Sequence, residues 1–198
     1  MDDGVIKFRI NWQQAPAPTD PALAGLMHWR NVMYDMGLIG FDEQYRVGYG
    51  NISLRTGERT FIISGTQTGH IPQLPAEYYT TVISYDIAQN ELTCSGPVKA
   101  SSESLTHAAV YEANPEIQAI IHIHHDAQWE AWLDEIPTTH KDVPYGTPEM
   151  AGEIHHLFKD YKMSTTGLIA MAGHQGGIIA FGATLEEAAA PYLEVFGN

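Results

Sequence analysis

The stretch "AIIHIHH", residues 119–125, decides how the chain reads. Successive side chains of a β-strand point to opposite faces. Ile121 and Ile123 therefore share one face, and His122 and His124 share the other. The isoleucine face fits a hydrophobic core. The imidazole face needs hydrogen-bond partners or a metal ion, because buried polar groups without partners are costly. Taken alone, the pair fits either answer, and the neighbouring segments have to choose.

Working outward, "SSESLTHAAVYEANP" (101–115) has a serine cap, good helix formers and a terminating Asn-Pro, which predicts a helix leading into the strand. Beyond the strand, "TPEMAGEIHHLFKDY" (147–161) predicts another, with Thr147 as cap and Pro148 at the first helical position. "GLIAMAGH" and "GGIIAFG" are short strands flanking a tight turn, and "TLEEAAAPYLEVF" closes as a helix in which Thr184 and Glu187 suit a capping box. Towards the N-terminus, Asp20-Pro21 opens a helix that runs to "YDMG", with Gly37 just past its end. "TFIIS" (60–64) and "TVISYDI" (81–87) are strands. No repeat, charge block or low-complexity linker divides residues 1–198, so one α/β domain is expected, with 1–19 as an N-terminal arm. Several strands follow one another without an intervening helix, which disfavours a doubly wound parallel sheet.

The chain has 198 residues and a net charge of −14, from 24 Asp and Glu against 10 Lys and Arg. That balance excludes nucleic acid and anionic membrane surfaces as partners, since both demand basic patches. No apolar run approaches the roughly 20 residues that span a bilayer. The start, "MDDGVIKFRI", lacks the layout of a signal peptide, and the single cysteine, Cys94, allows no intrachain disulfide, so a cytoplasmic setting is expected. The charge also means that any anion site must be built from backbone N–H groups and hydroxyls.

Four constellations could carry chemistry. His122 and His124 can ligate one metal ion, and His174, flanked by Gly173 and Gly176-Gly177, is a possible third ligand. Ser101 and Ser102, at a helix start, form an anion cradle, with Glu103 beside it as a general acid/base; plain helix capping is the other reading. "GYGNISLR" (48–55) and "ISGTQTG" (63–69) add the neutral groups Asn51, Ser53, Ser64, Gly65 and Thr66, which also suit turns. His107, four residues after Glu103, either orients that glutamate or packs. His155, His156, His125, His70, His140 and Lys99 are assigned no role, and Trp129 and Trp132 are a packing face.

"GNISLR", "ISGT", "SSES-LTHAAVY", "IIHIHHD" and a late "GH" before an apolar strand occur in the order seen in the class II aldolase/adducin family, and residues 22–190 resemble it. "VPYGTPEMAGEI" is similar to the family's segment ahead of its last metal histidine. The resemblance implies a three-layer αβα sandwich around a mostly antiparallel sheet, with His122, His124 and His174 as ligands of Zn2+, or of Mn2+ or Co2+. It implies that Glu103 shuttles protons, and that Asn51, Ser64, Gly65, Ser101 and Ser102 hold a substrate phosphate. The expected activity is that of an aldolase joining dihydroxyacetone phosphate to an aldehyde through a metal-stabilised enediolate. A sugar-phosphate 4-epimerase, a dehydratase or a decarboxylase on the same site is the alternative, and an adducin-like interaction domain the third. Related enzymes imply a homotetramer with interfacial sites. Three stretches depart from the aldolase pattern: the span before "VPYGT" is shorter, the sequence stops at Asn198, and "GHQGGIIAFG" carries extra residues. The half that recognises the second substrate therefore does not map, and neither Tyr145 nor Tyr192 is selected as a second acid.

Overall fold

The computed structural model describes residues 5–197; the first four residues of the expected arm and Asn198 lie outside them. Eight strands form one sheet in the order β1 (Arg9–Gln14), β7 (Glu91–Gly96), β6 (Tyr79–Asp86), β5 (Thr60–Ser64), β4 (Asn51–Gly57), β8 (Ala119–His124), β10 (Gly177–Gly182), β9 (Gly167–Ala170). Every neighbouring pair is antiparallel except β1 with β7. A separate hairpin, β2 (Gly40–Asp42) with β3 (Val47–Tyr49), stands outside the sheet. The helices are α1 (Leu23–Asp35), α2 (Ser104–Ala113), α3 (Asp126–Trp132), α4 (Pro148–Asp160) and α5 (Leu185–Phe196).

The sheet is apolar on both faces because its strands alternate between two cores. Ile62, Ile52, Ile121, Ile123, Ile178 and Ala180 pack with Leu26 and Met33 of α1 and Ala188 and Tyr192 of α5. Phe61, Ile63, Ile120, Ile179 and Phe181 pack instead with Leu105 and Ala109 of α2 and Ile154 of α4. This is the expected αβα sandwich. Burying each isoleucine of β8 stabilises the fold by roughly 1.5–3 kcal/mol.

The end signals read from sequence act as hydrogen bonds. Thr147 Oγ1 accepts from the Met150 N–H at 3.3 Å and Thr184 Oγ1 from the Glu187 N–H at 3.1 Å. The Glu187 carboxylate returns to the Ala183 N–H at 2.9 Å, one residue earlier than a strict capping box requires. After α1, the Gly37 N–H reaches Tyr34 O and the Leu38 N–H reaches Met33 O, which closes a Schellman motif. Two local expectations shift. The "arm" contains β1, paired at the sheet edge with β7. Helix α2 begins at Ser104, so its N-cap position falls on Glu103, which makes no side-chain capping bond, and not on the expected serine.

Candidate functional site

β8 runs between β4 and β10, and its register places Asn51 opposite His122 on one side and Ile179 opposite it on the other. His122 and His124 therefore leave the middle of the sheet on the face where α2 starts. His174 comes from the β9–β10 connection. Gly176 turns that connection at φ 75°, a conformation that costs a side-chain-bearing residue free energy. At Gly177 a Cβ would stand 2.5 Å from the His174 ring and 3.2 Å from that of His122, so glycine there allows the two imidazoles to approach.

One ligand atom each from Glu103, His122, His124 and His174 lies within 4.8 Å of all the others. Glu103 Oε1 is 2.9 Å from His122 Nε2 and 3.6 Å from His174 Nε2, and the Nε2 atoms of His122 and His124 are 3.0 Å apart. His122 Nδ1 stands 3.1 Å from Ile178 O. A carbonyl can only accept, so the neutral His122 ring carries its proton on Nδ1 and turns the Nε2 lone pair inward. Lone pairs and a carboxylate oxygen at these separations repel unless a cation or shared protons sit among them. Glu103 Oε2 is buried and makes no hydrogen bond. The donor set therefore fits a divalent ion, with three imidazole nitrogens and an adjacent carboxylate.

Burial acts to raise the Glu103 carboxyl, but the His122 and His174 imidazoles outweigh it and hold the group well below the usual carboxylate range. Burial, reinforced by His174 and His122, holds His124 well below the usual imidazole range, which keeps it in the neutral form that ligates metals.

A small pocket beside this cluster is lined by Asn51, Gly65, Thr66, Thr68, Ser101, Ser102 and Glu103, together with His124 and His174. No lysine or arginine lines it. Arg30 of α1 fixes its outer wall from behind, donating to the carbonyls of Thr68, Ile71 and Pro72. Asn51 Nδ2 donates to Glu103 Oε1 at 3.3 Å, and Ser101 Oγ accepts the Glu103 N–H at 3.3 Å.

The structure thus brings together eight of the nine site residues expected from sequence: Glu103, Asn51, Gly65, Ser101, Ser102, His122, His124 and His174. Ser64 is not among the lining residues; its Oγ accepts the Ile52 N–H from within the sheet. Gly65 lines the pocket, but its N–H is given to Tyr78 O at 2.8 Å. Ser53, read as a loop donor, is buried inside β4 against His107 and Tyr111. His125 caps α3, where its Nδ1 accepts the Gln128 N–H. Tyr192 is a core residue whose hydroxyl lies 3.1 Å from both Ile121 O and Ile178 O. Tyr145 packs its ring 4.5 Å from that of His174 while its hydroxyl meets the backbone of Val5.

Sequence reasoning missed Tyr49, whose ring centroid lies 5.6 Å from that of His124. The signal was present in "GYGN", where an aromatic interrupts two glycines. A cleft of about 1230 Å³ lies at the other end of β4 around Arg55, Arg59 and Glu112. Its guanidinium groups are already engaged with backbone carbonyls and with Glu112, so it offers less to a ligand than its size suggests.

Residues 38–195 match the family described as the class II aldolase and adducin N-terminal domain. The chain belongs to that family. Among curated proteins, this aldolase-family chain is 30% identical to the 3-oxo-tetronate 4-phosphate decarboxylase of Haemophilus influenzae over 96 residues, which is 48% of this chain and 42% of that protein. The match therefore spans less than half of the relative's length. Among solved structures, an L-fuculose 1-phosphate aldolase superposes with a TM-score of 0.65 at 18% identity, covering 90% of this chain and 83% of that one. YgbL of Klebsiella pneumoniae, a candidate aldolase/epimerase/decarboxylase, gives 0.62 at 18% identity over 88% and 84%. These likenesses establish the fold. No helix among the described residues is long and apolar enough to cross a membrane.

Proposed function

We propose that the chain is a metal-dependent carbon–carbon lyase acting on a small phosphorylated ketone, foremost as an aldolase that interconverts a phosphorylated ketose with dihydroxyacetone phosphate and an aldehyde. The convergence of three imidazoles and one carboxylate, beside a pocket of neutral donors, carries this reading. His122, His124 and His174 would hold the ion, Zn2+ by the nitrogen donor set, and when bound it supplies Lewis-acid polarisation of the ketone. Glu103 would take a proton from the carbon beside the carbonyl, or return it, and Asn51 orients the carboxylate for that task. The hydroxyls of Ser101 and Ser102 and the Asn51 amide would receive the phosphate at the α2 start, where an anion is held without net positive charge. Gly65 lines that cradle and Ser64 braces it from behind. The assembly we expect is a homotetramer with interfacial sites, which light scattering can count.

A second reading, decarboxylation, is favoured by the similarity to the Haemophilus influenzae protein. Loss of carbon dioxide from a 3-oxo-tetronate 4-phosphate leaves the enediolate of dihydroxyacetone phosphate, the species that retro-aldol cleavage leaves. The proton required of Glu103 is the same in both.

One experiment therefore addresses the shared half of the reaction: deuterium exchange from solvent into dihydroxyacetone phosphate, followed by NMR on the metal-loaded protein. Exchange is expected, and Glu103→Gln should slow it by about 10²–10⁴-fold while retaining the metal. A metal-loaded protein that catalyses no exchange would overturn both readings and leave epimerase or dehydratase chemistry. A folded protein that binds no divalent ion would favour a non-catalytic domain.

A further inference from the structure

The His124 imidazole stands between two cavities. One is the pocket of neutral donors beside Glu103; the other is a cleft of about 500 Å³ between the β2–β3 hairpin and the start of α3. Tyr49 and His124 line both, so the cleft opens directly onto the candidate metal ligands. Its chemistry is opposite to that of the cradle. Asp42 comes from β2, Tyr45 from the hairpin turn, Asp126 from the first residue of α3, and Gln175 follows His174 in the chain. Asp42 Oδ1 accepts the N–H groups of Gln44 and Tyr45 at 2.8 and 2.9 Å, and Gln175 Nε2 donates to Asp126 Oδ2 at 3.2 Å. Each carboxylate thus spends one oxygen on holding the wall and keeps the other as an acceptor.

A carboxylate can only accept hydrogen bonds, whereas the Gln175 carboxamide can do both. A ligand that satisfies this wall brings hydroxyl donors and no negative charge, and the Tyr45 ring, half exposed at the rim, offers a flat apolar surface to its C–H groups. Two acidic residues alone would mark nothing. The concavity and its continuity with His124 make them part of a site.

We infer that this cleft receives the neutral, hydroxyl-bearing end of the substrate, opposite the phosphate, with Asp126, Gln175 and Asp42 reading its hydroxyls and repelling a second anionic group. The inference rests on the lyase reading and separates its two forms, since an aldehyde bearing hydroxyls fits the cleft and a carboxylate does not.

The test is saturation-transfer NMR with two probes of equal carbon count, neutral threitol and anionic threonate, in saturating inorganic phosphate. Both metal-loaded and metal-free protein are used, because chelation of threonate would show only in the former. Transfer to threitol is expected to exceed transfer to threonate at least threefold in the metal-free protein. Gln175→Leu should lower the threitol signal several-fold, and the Asp42→Asn/Asp126→Asn double variant should raise the threonate signal towards it. The Gln175 and Asp126 side chains are exposed, and asparagine at position 42 keeps an oxygen that can accept the Gln44 and Tyr45 N–H groups, so these changes leave the fold intact, as circular dichroism can verify. Equal transfer to both probes, a preference for threonate, or a threitol signal indifferent to Gln175→Leu would overturn the inference. Because the readout needs no turnover, it stands or falls separately from deuterium exchange into dihydroxyacetone phosphate, which tests the lyase reading itself.

Discussion

Two groups of buried histidine lie one helical turn apart along the start of α2, and they are wired differently. Around His107, Nδ1 lies 2.7 Å from Ser53 Oγ, which lies 2.8 Å from the Tyr111 hydroxyl, which in turn donates to Gln118 O at 3.4 Å. With the His107 proton on Nδ1, every hydroxyl in that string donates once and accepts once, and only the Nε2 lone pair is left unmatched. Around His122 the polar atoms face one another as acceptors, and Glu103 Oε2 and Asn51 Oδ1 have no hydrogen-bond partner. Burial is common to both groups. A network that ends on a backbone carbonyl supports the fold without help, whereas one whose acceptors converge calls for a cation.

The comparison can be broken most forcefully at the open group. His122→Ala should lose the divalent ion by more than the ~10–100-fold that changes outside the ligand shell cost, with the circular dichroism spectrum still that of a folded protein. Metal analysis after purification without chelator reads the outcome, and an undiminished metal content would show that the cluster is only another structural network. The closed group should respond in the opposite manner. Ser53→Ala removes the middle of the string, stranding the buried His107 Nδ1–H donor and depriving the Tyr111 hydroxyl oxygen of its donor, at a cost of about 1–3 kcal/mol in urea unfolding. Metal content should stay at the wild-type level. If Ser53→Ala lost metal as readily as His122→Ala, the two groups would be one.

The same contrast explains which parts of the molecule were legible in the sequence. Thr147, Thr184 and Gly37 could be read as helix ends because capping is a matter of residues three or four apart. His122 and His124 could be assigned to one face because strand alternation is local too. The third imidazole and the carboxylate joined them through motif order, which carries long-range information that periodicity lacks. By contrast, β1 hides in a proline-rich arm because its strand partner, β7, is about 80 residues away. Tyr49 reaches His124 only because a three-residue hairpin pairs Gly40 with Tyr49, and strands that short leave no periodic trace. Ser64 and Ser53 were misplaced for a related reason: a serine in a strand next to a glycine turn looks like a loop donor until the register decides which way it faces.

The smallest and most specific difference concerns acid. Burial holds His107 at about 3 against an ordinary 6.5, whereas in the unfolded chain the ring titrates near the ordinary value. The unfolded state therefore binds the extra proton first. The stability associated with neutral His107 is fully present above about pH 6.5 and is lost as the pH falls towards 3, with a slope of up to about 1.4 kcal/mol per pH unit. His124 is also held neutral and adds a slope of its own in metal-free protein, so the wild-type curve alone does not isolate His107. His107→Gln does isolate it, because glutamine can still donate to Ser53 Oγ and has no proton to gain. Urea unfolding of metal-free protein from pH 7 to pH 4 should show the variant losing stability less steeply than the wild type. Parallel curves would mean that His107 is not held neutral by burial, and the string through Ser53 and Tyr111 would then have to accommodate a charged imidazole.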